Sequence, residues 1–257
     1  MNPLEPIDTR NLFAPLHGEL LSLLHALTAD DWNRPTIARA WRVRDVAAHL
    51  LDTQLRRLSW QRDGHRRQPP DVPLIDFLNG LNATWVAAAQ RLSPRVITEL
   101  LAVSGPAVAA LMESLPLHDQ APIAVAWAGE SESENWLDIG REYTEWWHHQ
   151  MQIRDAVGAP LLLDSRWFAP LIELSVRAIR PATTMLFEVG HDQFSFDGGT
   201  IFRGAMPSPA VTVRTDADTA WRLLFHALSR EEILRRVSIT GDAAAAEALI
   251  RARSVMV

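Results

Sequence analysis

Apolar residues recur at spacings of three and four along 9–28. Leu12, Leu16, Leu20, Leu23, Leu24 and Leu27 there predict a helix with one apolar face. Capping and turn residues from Thr28 to Thr36 end it. A second helix is predicted over 43–60 on Val43, Val46, Ala47 and Leu50, and a third over 74–92 on Leu74, Phe77, Leu78, Leu81 and Trp85. Between them, 61–73 reads as a polar loop with adjacent Pro69 and Pro70. Pro94 opens a further helical stretch, which Gly105-Pro106 should divide before Leu115. Residues 116–134 read as irregular, with a short strand through 123–127. A long helix over 135–157 should end at Gly158, a natural C-cap, with Pro160 just beyond. Helix after helix predicts a bundle.

After Pro160 the pattern changes. A helix over 165–180 stops at Pro181, and short alternating runs follow at 185–189, 193–197, 210–215 and 237–240, with Gly198-Gly199 as a turn. Asp216 can cap a helix to Leu228, and Gly241-Asp242 should start a last helix to Arg253. The expectation is a mainly α protein: a helical domain over 1–159 and a small α+β C-terminal domain over 160–257.

Composition narrows the chemistry. The 257 residues are 47% hydrophobic and 22% charged, ordinary for a globular chain. No run approaches the roughly 18–20 consecutive apolar residues of a membrane helix. The segment Met1 to Arg10 lacks the basic start and apolar block of a signal peptide, so a cytoplasmic protein is the default. A net charge of −6 argues against nucleic acid as the main partner. There is no cysteine, which excludes disulfides, thiolate ligands and a cysteine nucleophile. All 25 basic residues are arginine, which excludes a Schiff base and a P-loop lysine. Acid–base or metal chemistry must rest on His, Asp, Glu, Arg or Tyr143.

Of nine histidines, His17, His25, His65, His118, His191 and His226 lack a partner at a spacing that forces proximity, and read as surface or packing residues. Glu145 and His149 differ: four apart on a helix, their side chains are neighbours. Asp138, Glu142, Glu145, His149, Gln152 and Ala156 fall along one stripe, and His148 points to another side. On spacing alone, a solvated Glu–His pair remains the commoner explanation. A catalytic metal would need a third ligand and an open position. His49, at the border of the second helix's apolar face, is the candidate, although by itself it reads as a core-edge histidine.

Trp32-x-x-Pro35-Thr36, followed by Trp41-x-Val43-x-Asp45-x-x-x-His49-Leu50, resembles the N-terminal signature of the mycothiol-dependent maleylpyruvate isomerase family, within the DinB-like group of thiol-dependent metalloenzymes. Arg141-Glu142-Tyr143-Thr144-Glu145-Trp146-Trp147-His148-His149 and Ile153 through Gly158 resemble its second half, and Ile239-Thr240-Gly241-Asp242 through Ser254 its C-terminal domains. The resemblance implies a DinB-like antiparallel four-helix bundle holding a divalent metal on His49, Glu145 and His149, followed by a sterol-carrier-like mixed domain. Arg230 falls where relatives carry a Gly-Arg whose arginine faces the active site, with Ser229 here in place of the glycine. Ile37-Ala38-Arg39-Ala40 departs from the small-residue pattern that relatives show before the tryptophan.

Two imidazoles and a carboxylate suit Zn²⁺ and similar divalent ions. A bound cation lowers the pKa of a coordinated thiol, and without cysteine that thiol must arrive on a small molecule such as mycothiol. The implied activity is isomerisation of, or S-transfer to, a small electrophile, with Arg230 as the catalytic residue orienting a substrate carboxylate. Two other readings stay open: a small-ligand-binding protein without turnover, and thiol-independent hydrolysis by a metal-activated water. Trp146 and Trp147, beside the ligand candidates, are the tryptophans expected to touch a substrate.

Overall fold

The computed structural model describes residues 1–38, 40–65 and 71–254; Arg39 and the Pro69-Pro70 pair of the expected loop lie outside the described residues. The chain divides into two compact units. Among the described residues, one comprises 8–122 and 134–162; the other comprises 1–7, 123–133 and 163–254.

The first unit is helical. Its long helices are α1 (Phe13–Ala26), α2 (Val43–Arg57), α3 (Leu74–Ala89), α4 (Pro94–Ser114) and α5 (Asn135–Val157). Helix α2 packs against α3, α4 and α5, while α1 packs against α4 and α5. Phe13, Leu16, Leu20, Val46, Leu50, Ile97, Leu101, Val108, Met112, Tyr143 and Trp147 fill the core. Gly158, at φ 70°, ends α5 in the left-handed conformation that glycine adopts most easily.

Helix α4 runs unbroken through Gly105-Pro106, against the expected division. The reason is steric. A proline ring disfavours the helical region for its predecessor by clashing with that residue's N–H and Cβ, and Gly105 lacks the Cβ. Gly105 also lies under the His17 ring of α1, where an added Cβ would meet ring atoms at 2.2–2.5 Å. At 21 residues, α4 is long and apolar enough to cross a membrane by length and composition alone. Its Ile97, Leu101, Val108 and Met112 face is buried as in a core helix.

The second unit holds, among the described residues, a six-stranded sheet in the order β1-β4-β3-β2-β5-β6. The strands are β1 (Asn2–Pro3), β2 (Met185–Val189), β3 (Asp192–Asp197), β4 (Thr200–Arg203), β5 (Val211–Thr215) and β6 (Ser238–Gly241). Only β2 and β5 pair in parallel. Around them lie α6 (Ser165–Ser175), α7 (Ala217–Leu224), α8 (Arg230–Arg236) and α9 (Glu247–Ile250).

Three local expectations fail here. Residues 123–127 form no strand: Val125 N–H donates to Ser133 Oγ, and a 3₁₀ turn spans Ala126–Ala128 before Gly129 at φ 77°. The helix from Asp216 stops at Leu224, and α8 starts anew because Ser229 and Glu232 form a capping box. The last helix shortens to Glu247–Ile250.

Candidate metal centre

Two local structures bring the candidate ligands together. The first precedes α2. Thr36 donates both its N–H and its hydroxyl to the Trp41 carbonyl, at 3.1 and 2.8 Å, and Val43 N–H donates to Arg34 O at 3.0 Å. Asp45 then starts the helix: one oxygen accepts Arg42 N–H at 2.9 Å, the other the Gln90 amide at 2.6 Å. The signature residues Pro35-Thr36, Trp41, Val43 and Asp45 thus fold one loop and one helix start. His49 follows one turn after Asp45.

The second is a buried ionic tie between α2 and α5. Arg57 donates two bonds to Asp138, at 2.8 and 2.9 Å, and one to Glu142 at 2.8 Å. Arg141 adds a bond to Asp138 at 2.8 Å, and the Trp146 indole donates to Glu142 at 3.1 Å. Asp138 is held well below the usual carboxylate range: burial alone would raise it, and the Arg57 and Arg141 guanidiniums outweigh that. The stripe predicted along α5 is therefore a buried polar seam rather than a solvated face.

One turn further along α5, His49 Nε2 lies 2.9 Å and His149 Nε2 3.2 Å from the same oxygen, Glu145 Oε1. The two imidazole centroids are 4.5 Å apart. The three potential ligand atoms lie within 4.8 Å of one another, a spacing that one cation could bridge. Both histidines are buried, and the Glu145 side chain keeps 27% of its surface exposed, so the cluster opens on the carboxylate side.

The charges are asymmetric. Burial drives His49 down to about 4, and repulsion from His149 adds to this. Burial also works against a charged His149, but the adjacent Glu145 carboxylate overcomes it and raises that imidazole. Glu145, which burial alone would raise, is held well below the ordinary value by the two imidazoles, His149 foremost. A neutral His49 can donate from Nε2 to the carboxylate. That leaves His49 Nδ1 buried with no hydrogen-bond partner among the described residues. A cation fits this donor set of two imidazole nitrogens and one carboxylate oxygen.

Three neighbours escaped the sequence reading. The half-buried Trp41 ring lies 4.8 Å from the His49 ring and 6.1 Å from that of His149. Gln152 Oε1 is 2.8 Å from His149 Nδ1, and Gln152 Nε2 is 2.9 Å from His148 Nε2. His148, read as pointing elsewhere, thus reaches His149 through Gln152. The cue was present in the spacing: Gln152 is four after His148 and three after His149, and both are neighbour distances on a helix.

Trp146 and Trp147, expected at the substrate, are buried core residues instead. Trp146 packs edge-on against Phe13 at 5.2 Å, and the Trp147 indole donates to Leu162 O at 3.2 Å. Arg230 belongs to the other unit, where it opens α8 and ion-pairs with Glu247.

The family described as the mycothiol maleylpyruvate isomerase N-terminal domain matches residues 13–154, more than half of the chain, and the match spans all three clustered residues. No curated protein matches the chain by sequence. Among solved structures, the mycothiol-dependent maleylpyruvate isomerase superposes with a TM-score of 0.59 at 12% identity, covering 92% of this chain and 93% of that one. A histidine-to-alanine mutant of that protein gives the same TM-score and coverage at 11% identity. At such identity the solved structures establish a shared fold. The sequence match over 13–154 goes further: the chain belongs to the mycothiol maleylpyruvate isomerase N-terminal domain family.

Proposed function

We propose that this protein binds a divalent cation, Zn²⁺ first among candidates, through His49 Nε2, Glu145 and His149 Nε2, and that it isomerises a small electron-poor alkene with the help of a low-molecular-weight thiol such as mycothiol. The observation that carries the reading is the convergence of two imidazole nitrogens on one carboxylate oxygen. Family membership supplies the thiol: the one solved relative named above is mycothiol-dependent, and this chain has no cysteine to furnish its own sulfur. Bound together, cation and thiol supply a thiolate nucleophile at neutral pH, competent for reversible addition to a cis alkene or for S-transfer.

The chain's own residues prepare that chemistry. Glu145 would be the only anionic ligand of the three, so a bound divalent cation would keep a net positive charge. The Arg57 tie fixes the spacing of α2 and α5, and with it the distance from His49 to Glu145. The Trp41 ring lies beside both imidazoles. Arg230 is assigned to the substrate carboxylate on family resemblance, and a substrate would have to displace Glu247 from it. The same reading carries a DinB-like antiparallel four-helix bundle of α1, α2, α4 and α5, a sterol-carrier-like second domain with the boundary near 159, and a cytoplasmic protein acting on small molecules rather than on nucleic acid or membrane.

The test is elemental analysis of untagged protein, wild type beside Glu145→Ala. The expected result is near one divalent ion per chain, lost in the variant. With metal in place, turnover of maleyl-type cis alkenes should require added thiol. Metal-dependent hydrolysis that ignores thiol, or ligand binding without turnover, would replace the isomerase reading. Absence of metal from both proteins after reconstitution would end it.

A further inference from the structure

We infer that Gln152, held from behind by His148, is a positioning residue that selects the tautomer of His149 competent to ligate. The inference rests on the cation site proposed above and concerns residues that it does not include.

The geometry allows two arrangements of protons. Gln152 presents one oxygen and one NH₂ group, the first 2.8 Å from His149 Nδ1 and the second 2.9 Å from His148 Nε2. In this orientation His149 must carry a proton on Nδ1, because the amide oxygen only accepts. His148 Nε2 must be bare, because the amide nitrogen only donates. In that tautomer of the neutral ring, His149 Nε2 turns its lone pair toward the cluster.

The reversed amide inverts everything. The NH₂ would face His149 Nδ1, the ring's proton would sit on Nε2 against Glu145 Oε1, and no cation could be accepted there. His148 would then need a proton on Nε2. The polarity of one buried side chain therefore decides whether the site is open.

All three residues are at least nine-tenths buried, so water is not at hand to satisfy a mismatched group. The chain also lies within a single helix. Along α5, Gln152 sits angularly between its two histidines, since four residues advance 40° and three fall short by 60° at 100° per residue. His49 has no equivalent device: its Nδ1 meets no partner among the described residues. The orientation of the ligand set is therefore controlled from the His149 side. A neutral amide in this role also adds no second negative charge behind the cation, where a carboxylate would increase ligand basicity.

Two measurements test the assignment. Long-range ¹H–¹⁵N NMR of Zn²⁺-loaded wild type should show a protonated Nδ1 in His149 and a pyridine-type, unprotonated Nε2 in His148. The opposite pattern in His148 would overturn the inference without touching the metal site. Zn²⁺ affinity, by competition with a chromophoric chelator, should fall roughly 10–100-fold in Gln152→Leu. It should fall less in His148→Phe, and recover in Gln152→Glu, whose carboxylate oxygen can accept the same Nδ1 proton. Wild-type affinity in a folded Gln152→Leu, with Zn²⁺ still lost in Glu145→Ala, would reject the positioning role and leave the site standing. A wild type that takes up no Zn²⁺ would remove both.

Discussion

At the scale of single residues, the closest contact with a mutational consequence is that between Gly105 and His17. A Cβ at position 105 would meet the buried imidazole at 2.2–2.5 Å. The ring also packs beside Trp146, 5.7 Å between centroids, and has little room to retreat. Gly105→Ala should therefore destabilise by about 1–3 kcal/mol, the range for overpacking a full core, despite alanine's better helix propensity. Urea unfolding would measure it. Combining Gly105→Ala with His17→Ala should recover part of the loss, because the clash needs both side chains; additive penalties would show that the glycine serves only the Gly-Pro backbone. Neither residue's role was legible in the sequence. His17 has no partner nearby in sequence, and its neighbour Gly105 lies 88 positions away.

At the scale of elements, periodicity found α1, α2, α3 and α5 to within a few residues, because each has one continuous apolar face. It failed where a boundary depended on something other than a face. Gly105-Pro106 looked like a break because the pair usually is one, and tertiary packing decided otherwise. The start of α8 at Ser229 went unseen although its capping box is a sequence signal. The acidic residues of α5 were legible as a stripe, but not as a buried one, because their partner Arg57 sits 81 residues before Asp138. That tie yields a sharp expectation. Arg57→Met should cost about 3–5 kcal/mol, the range for removing one partner of a buried ion pair and leaving the others uncompensated. The triple replacement Arg57→Met, Asp138→Asn, Glu142→Gln should cost less than the single one. The comparison is again made by urea unfolding; a single variant within 1 kcal/mol of wild type, on the same order-of-magnitude scale, would show that Arg141 alone holds the carboxylates.

At the scale of the whole molecule, the first residues of the chain join the sheet of the second unit in a way the sequence pattern does not display. The two-residue strand β1 pairs with β4, Leu4 N–H donates to Ile201 O at 2.8 Å, and Arg177 donates to Glu5 O at 2.8 Å. Two residues are too few for any periodicity, so the first seven residues could not be assigned to the second unit from sequence. Beta-strand edges left unpaired invite association with other chains. Removal of residues 1–7 should therefore expose the β4 edge and promote concentration-dependent self-association, visible by light scattering, with the helical unit's metal uptake unchanged.

Acid stability is the other whole-molecule property, and its sign follows from where the histidines lie. Burial of His17 pushes its imidazole from 6.5 down to about 4, with the Leu101 backbone only partly opposing. The folded chain thus resists a proton that the unfolded chain accepts. Stability from this group is fully present above pH 6.5 and is lost as pH falls toward 4. The slope is about 1.4 kcal/mol per pH unit and the total about 3 kcal/mol over that window. In the metal cluster the two histidines act in opposite directions: His49 is driven down to about 4 and adds to this limb, while His149 is raised and opposes it. Asp138 acts in a separate window: its carboxyl is depressed, so its contribution survives until pH drops below the ordinary carboxylate value of 3.8. Urea unfolding of cation-free protein from pH 7.5 to 4 should show stability falling from about pH 6.5, well above the Asp138 window. His17→Leu should flatten this limb and leave the loss below pH 4 in place. A limb of equal steepness in the variant would mean that the imidazole at position 17 is reached by water, and that the acid sensitivity belongs to the metal cluster alone.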